Sequence, residues 1–430
     1  MRASFFIGSI AFAAAAVMAC AAKGDNDGTS LPEHDSGTSV APVTEGGTTE
    51  ADAGGEASVV EPPRCSGAGW CITDLPDSDL MMKDLWPLAG RAFAIAESPT
   101  LGVKVLEWVD SDAKWTYIDD GSQNEDGRGR WAGRIWAPTE NEVYFGVSPN
   151  YVFRGTRTAP GLPWSWAHDS IGTSSGVDPD DGNPTYWKRP GSARTPALGI
   201  WGTSSTDVYA WFKGTIYQRS SVDGGAPEWV PVYVAADTDV PAEQMYFFAA
   251  AGKSADDVWF AGARTRLLSG CALLVRRTST GWERIADGIA GSINQACKPR
   301  ADHLLVGGAE GWLTDIEVLS PEAIVALKGA RDVVKISVDS DSYSVAPASI
   351  PTTLSANGLN SLSSTEGDLW LGGTGLIVRG AGVWDGGAFE ISSSSLNGAP
   401  LTWPIYRVRG TSNSNLWAIG VRYALHKTTP

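Results

Sequence analysis

The chain has 430 residues, with 33 basic against 49 acidic side chains and a formal charge of −16. That length suits one large domain or two to three ordinary ones, and a hydrophobic fraction of 43% supplies ample core. The acidic balance argues against a nucleic-acid partner, which needs a basic footprint, and four His with five Cys leave little for zinc sites or His-based catalysis.

After Met1 and Arg2, an uncharged run extends from Phe5 to Ala19. It is too short for a bilayer span, which takes about 20 residues, and has the length of a secretory signal. The run ends Val17-Met18-Ala19-Cys20, which resembles the lipobox of bacterial lipoprotein signals, with Met18 in place of the usual small residue. The resemblance implies a signal peptide over residues 1–20, cut before Cys20, with diacylglycerol on the Cys20 thiol. Ala21 rather than Asp in the next position implies sorting to the outer membrane, on its periplasmic or its cell-surface side. The alternative is an ordinary signal cut after Ala19 that leaves Cys20 a free thiol.

Residues 21–62 contain no Phe, Tyr or Trp and carry nine acids against Lys23 alone. Such a Gly/Ser/Thr-rich acidic stretch cannot bury enough apolar surface to offset its ordering entropy, and it reads as a disordered, self-repelling tether. Asp25-x-Asp27-Gly28 has the start of a calcium loop without its remaining ligands.

After residue 85 one pattern recurs. It appears as Ile135-Trp136-Ala137-Pro138-Thr139-Glu140-Asn141-Glu142-Val143-Tyr144 and again as Ile200-Trp201-Gly202-Thr203-Ser204-Ser205-Thr206-Asp207-Val208-Tyr209. Further copies surround Asp257-Val258-Trp259, Asp368-Leu369-Trp370 and Asn415-Leu416-Trp417, with a weak first copy at Leu88–Ile95 and a degenerate fifth at Asp302–Gly308. The strand-opening residues fall at 93, 143, 208, 258, 304, 369 and 416. A period near 50 with Trp and Gly punctuation is in the range of propeller blades. Each copy reads as an apolar strand ending in Trp, a Ser/Thr/Asp turn, a second strand, a Gly turn, a third strand and a fourth that often opens with Trp, as at Trp115, Trp229 and Trp282. The predicted fold is all-β: a single β-propeller over 63–430 of about seven four-stranded blades, six or eight being the neighbouring counts. The recurring Trp136, Trp201, Trp259, Trp370 and Trp417 read as blade-packing core, and the carboxylate at Asp256-Asp257 as a turn cap.

The per-blade pattern resembles repeats of secreted bacterial β-propeller lipoproteins and, distantly, Asp-box propellers of the sialidase type. Ser221-Val222-Asp223-Gly224-Gly225-Ala226-Pro227-Glu228-Trp229 nearly matches the Asp box, with one residue too many before the Trp. The resemblance implies an architecture and leaves the activity open, since propellers host many. Two stretches read as insertions, at about 168–198 and about 315–358, the second with room for a short helix or extra hairpin.

Two features bear on closure. The last copy leaves room for three strands only, and Gly69-Trp70-Cys71-Ile72-Thr73, upstream of the first copy, reads as the missing fourth strand. With Cys20 set aside, four Cys remain for an oxidising compartment and allow three pairings. Cys65–Cys71 is expected as a local clasp around Trp70, and Cys271–Cys297 as a link between adjacent strands across a blade junction.

No local catalytic signature stands out. Arg130, Arg134, Arg194 and Arg409 fall near inner-strand starts, and a propeller enzyme would gather its carboxylates from several blades. Metal and cofactor signals are equally thin. Asp178-x-Asp180-x-Gly182-Asn183 resembles part of a calcium loop but lacks the closing acid, so no cofactor is expected, calcium at Asp178 and Asp180 being the weaker alternative. The loops at 119–133 and 168–198 both join an outer strand to the next inner strand, which puts them on one face around the channel mouth. Asp126, Arg130, Trp131, Asp178, Asp180, Tyr186 and Trp187 are therefore the ligand-binding candidates. The expected function is a lipid-anchored, monomeric extracytoplasmic module that binds a protein or glycan. The alternative is a glycan-active hydrolase or lyase at the propeller mouth.

Overall fold

A computed structural model describes residues 65–126, 128, 131–171, 197–221, 224–266, 269–292, 295–306, 311–339 and 342–430. The signal, Cys20 and the tether lie outside these residues. Among them, no helix is long and apolar enough to cross a membrane.

Seven antiparallel four-stranded sheets form a propeller ring. The innermost strands, in blade order, are Met81–Leu88, Trp131–Thr139, Gly199–Ser204, Glu243–Ser254, Leu313–Ser320, Leu359–Thr365 and Ile405–Ser412. Blade 7 takes its outermost strand from the other end of the chain: Trp70–Ile72 pairs with Tyr423–Lys427, in the register Trp70↔Lys427 and Ile72↔Leu425. This is the closure expected from the sequence. It leaves neither blade edge unpaired at the seam. Trp70 is fully buried there, edge-on to Trp370 at 5.8 Å, and its indole N–H donates to Ser392 Oγ at 3.0 Å. On the other side of the seam, Trp108 and Trp115 of blade 1 pack on Trp417 with ring centroids 5.3 and 5.2 Å away.

The Trp-Gly of the repeat has a steric cause. A Cβ on Gly202 would meet the Trp136 ring at 2.9 Å, and one on Gly252 would meet the Trp201 ring at 2.9 Å. The indoles of Trp136 and Trp201 thus each lie over a glycine of the following blade, and only hydrogen leaves room for them. Trp136, Trp201, Trp259, Trp370 and Trp417 are all buried.

The acid of the repeat does more than cap a turn. In blade 4, Asp257 accepts from Arg276 Nε at 2.9 Å and from the Trp259 indole at 2.8 Å, while Arg276 lies 4.6 Å over the Trp259 ring. Register explains the recurrence, because Trp259 faces Arg276, Tyr144 faces Arg154 and Trp370 faces Arg379 on the third strand. Glu142–Arg154 (2.8 Å) and Asp368–Arg379 (2.8 Å) repeat the pair. Blade 7 uses neutral partners: Asn415 meets His426 Nε2 at 3.1 Å, and the imidazole stacks on Trp417 at 3.8 Å. Blade 1 reverses the polarity, with Arg91 on the second strand paired to Glu107 on the third. The locks of blades 2, 4 and 6 join two strands through charge and a ring face, a combination worth roughly 0.5–1 kcal/mol where exposed.

Two expectations are corrected. The fifth blade is not at 302–308. It is the stretch 313–349, and among the described residues of the supposed insertion only Thr352–Ser355 is helical. Its second strand, Ala323–Lys328, has Ala323 where the acid belongs and Val325 where the aromatic belongs, so the repeat signal is missing although the strand is not. Leu304 instead runs beside the outer strand of blade 4, its N–H donating to Ile285 O at 2.8 Å. The disulfides are Cys65–Cys71 and Cys271–Cys297, as expected. The second, however, does not join adjacent strands across a blade junction. It ties the loop after blade 4 to the third strand of that same blade, Ser269–Thr278. Gly288 sits against it, where a Cβ would come within 2.1 Å of Cys297 Sγ.

Candidate functional site

The inner strands surround an axial channel, and polar residues interrupt their apolar faces there. Asp84 of blade 1, Asp315 of blade 5 and Arg407 of blade 7 are each buried to within 2% of full enclosure. Arg407 Nε lies 2.9 Å from Asp84 Oδ1, and Arg407 Nη1 donates to Asp315 Oδ2. Arg134 of blade 2 adds a contact to Asp84 at 3.5 Å and donates to Phe248 O of blade 4 at 3.3 Å. The carboxylates also accept backbone donors from neighbouring blades. Ile135 N donates to Asp84 Oδ2 at 3.0 Å, and Leu362 N to Asp315 Oδ2 at 2.9 Å. A charge cluster this enclosed holds only if its members are mutually paired, and here the pairing spans six blades. The space left among Asp84, Arg134, Asp315, Arg407 and Arg409 is about 10 Å³, room for about one water.

Beyond this knot the channel widens into a cavity of about 410 Å³. Its lining comes from the ends of five inner strands, where they turn into second strands: Trp86 and Pro87, Trp201 to Thr203, Ala250 to Lys253, Glu317 and Val318, and Arg409 to Thr411. The Arg409 guanidinium lies 4.7 Å over the Trp86 ring and donates to Leu85 O at 3.2 Å. No carboxylate lies within 4 Å of Arg409 or of the exposed Lys253 among the described residues. Glu317 likewise has no ion-pair partner there. Burial pushes its carboxyl up to about 7, Arg409 pulling it down and Asp315 pushing it further up. Among the described residues no group of three His, Cys, Asp or Glu side chains could hold a metal ion.

The sequence-predicted loops begin and end at the opposite face, where inner strands start. The loop after blade 1 packs onto its own blade: Asn124 Oδ1 accepts from Val103 N at 2.8 Å, and Gln123 Nε2 donates to Val103 O at 2.8 Å. Arg128 then reaches His168 Nδ1 at 3.1 Å, on the outermost strand of blade 2. Asp126 is exposed on this bridge, and Trp131 is half-buried opposite Ser148. Arg130, Asp178, Asp180, Tyr186 and Trp187 lie outside the described residues. Of the Arg side chains near inner-strand starts, Arg134 and Arg409 do reach the channel. Sequence reasoning passed over Asp84, Asp315, Glu317 and Arg407. Their one signal is charge on an inner-strand segment that is otherwise apolar.

No known protein family and no curated protein matches the chain. Solved structures do. YCF48 from Cyanidioschyzon merolae matches at 12% identity and a TM-score of 0.50, over 84% of this chain and 99% of its own. YCF48 bound to D1 peptide matches at 13% identity and a TM-score of 0.52, over 86% and 98%. At that identity the likeness is one of fold.

Proposed function

We propose that this propeller is a protein-binding module, exported and held at the outer membrane by a lipid on Cys20, with residues 21–62 as its leash and the wide channel mouth as its binding site. The observation that carries the binding reading is the mouth itself: a cavity of about 410 Å³ on a rigid ring, walled by Trp86 and Trp201 and edged by Arg409 and Lys253. Concave sites of this size with a few convergent polar groups are the usual form of a recognition pocket. A ring of similar fold has been solved with a peptide bound, which supports a polypeptide as the ligand class. The catalytic alternative draws no support from Asp84 and Asp315, because both carboxylates are committed to Arg407 and to backbone amides. A general acid or nucleophile needs a free face toward its substrate.

The test is a pull-down from outer-membrane and periplasmic extracts beside a glycan array and a glycosidase panel, using the wild type and Trp86→Ala. A captured protein lost with Trp86→Ala supports the reading. Glycan turnover, or capture indifferent to Trp86, overturns it. Mass spectrometry of the membrane-bound protein checks the anchor: an unmodified Cys20 rejects it.

A further inference from the structure

Arg409 is a guanidinium with work left to do. It offers five N–H donors and uses one on Leu85 O, while its plane is fixed against Trp86. That fixing removes most of the entropy a flexible side chain would lose on gripping a ligand. Lys253 projects from the end of the blade 4 inner strand into the same mouth. The two cations flank an apolar wall formed by Trp86, Pro87 and Trp201.

We infer that the mouth is a carboxylate clamp, in which Arg409 and Lys253 hold the acidic side chain of an extended peptide while Trp86 and Trp201 pack against its aliphatic stem. This rests on the protein-binding reading above. The floor of the cavity sets the charge of the guest. Beneath the clamp lie Glu317 and, deeper, Asp315 and Asp84, so a dianion such as phosphate meets three carboxyls. A single carboxylate meets less repulsion. It also gains from Glu317 when that group is protonated and can donate a hydrogen bond. The knot of Arg407 with Asp84 and Asp315 stops the guest from threading through, so a side chain enters while the peptide backbone stays across the rim.

The experiment is isothermal titration of the exported form, residues 21–430 with Cys20 omitted, against three probes. These are a terminally blocked Gly-Glu-Gly-Glu-Gly peptide, its Gln counterpart, and succinate. The clamp predicts at least tenfold tighter binding of the Glu peptide than of the Gln peptide, and a tenfold or greater loss in Arg409→Gln/Lys253→Gln. Arg409→Lys keeps a charge without the planar fork and should lose less. Binding of the Glu peptide should also tighten from pH 8 to pH 6, and Glu317→Gln should abolish that tightening. Equal affinity for both peptides overturns the clamp and leaves the protein-binding reading standing, as does an unaffected double variant with an unchanged melting curve. Succinate bound with neither peptide bound overturns the acidic peptide as the source and the protein-binding reading with it.

Discussion

Arg407 of blade 7 meets Asp315 of blade 5 across the ring axis, passing the inner strand of blade 6, whose Leu362 N–H donates to the same carboxylate. With Asp84 on its other side, Arg407 is, among the described residues, the one cation in contact with two buried acids from different blades. Sheet packing in a propeller runs between neighbouring blades, so this pairing, like that of Arg134 with Phe248 O, couples sheets that would be independent in a simple nearest-neighbour ring.

Removing that guanidinium strands two enclosed charges. Arg407→Met is expected to lower the unfolding free energy by about 3–5 kcal/mol, whereas combining it with Asp84→Asn and Asp315→Asn should recover part of the loss. Urea unfolding of the three proteins measures both. A loss below about 1 kcal/mol for the single variant would show the knot to be dispensable.

Ring closure depends on Trp70, which fills the space between Trp370 and the last blade. Trp70→Ala is expected to cost about 3–5 kcal/mol, as large buried aromatics do. Deleting residues 65–73 should additionally produce concentration-dependent self-association, because it bares the strand Tyr423–Lys427 as an open edge. Analytical ultracentrifugation reads this, and a stable monomeric deletion would contradict the closure argument.

Blade 5 can be given the lock it lacks. Val325 faces Lys335, and Lys335 now lies 5.1 Å over Trp384. Ala323→Asp puts an acid where the other blades carry theirs and should stabilise by about 0.2–1 kcal/mol. The gain should vanish in Ala323→Asp/Lys335→Gln, a double-mutant cycle being the proper measure. No gain in thermal midpoint would mean that the Lys335–Trp384 stack already takes all that the cation can give.

Glu317 gives the stability a pH signature. Its folded carboxyl sits near 7 against an ordinary value of 4.5. The unfolded chain therefore releases this proton first as pH rises, and stability falls between those two values and stays lower above them. Glu317→Gln should raise the melting temperature at pH 8 by a few degrees and leave it nearly unchanged at pH 4.5. His426 titrates in the opposite sense. Burial holds it down to about 4, so its contribution is lost as pH falls from about 6.5 toward 4, equally in wild type and variant. A pH-independent effect of Glu317→Gln would reject the assignment.

The ring was legible because its grammar is local. An inner-strand Trp, a Gly, a hydroxyl-rich turn and an acid fall within a dozen residues, and each solves a packing or pairing problem inside one sheet or at one junction. Blade 5 escaped because Ala323 and Val325 replace the two residues that announce a blade, while the strand itself needs only alternating apolar residues to form. The channel escaped for a different reason. Asp84, Glu317, Arg407 and Arg409 come from three blades, and their meeting depends on ring geometry that no spacing encodes. The loops at 119–133 and 168–198 drew the eye by length and polarity, but the described part of the first is spent on bridging the outer parts of blades 1 and 2.

The pairing of Trp70 with Lys427 also fixes an order of events in time. The strand that completes the last sheet is among the first parts of the propeller to be made, and its partner is among the last. Contacts between such distant stretches form late and slowly. Until then the short strand has to wait without a sheet, held in its small loop by Cys65–Cys71, and the growing ring stays open at both of its ends. A chain cut anywhere before Tyr423 can never shut. The ring keeps an unsatisfied edge, open to pairing with another chain, until Tyr423–Lys427 has met the strand made at the start.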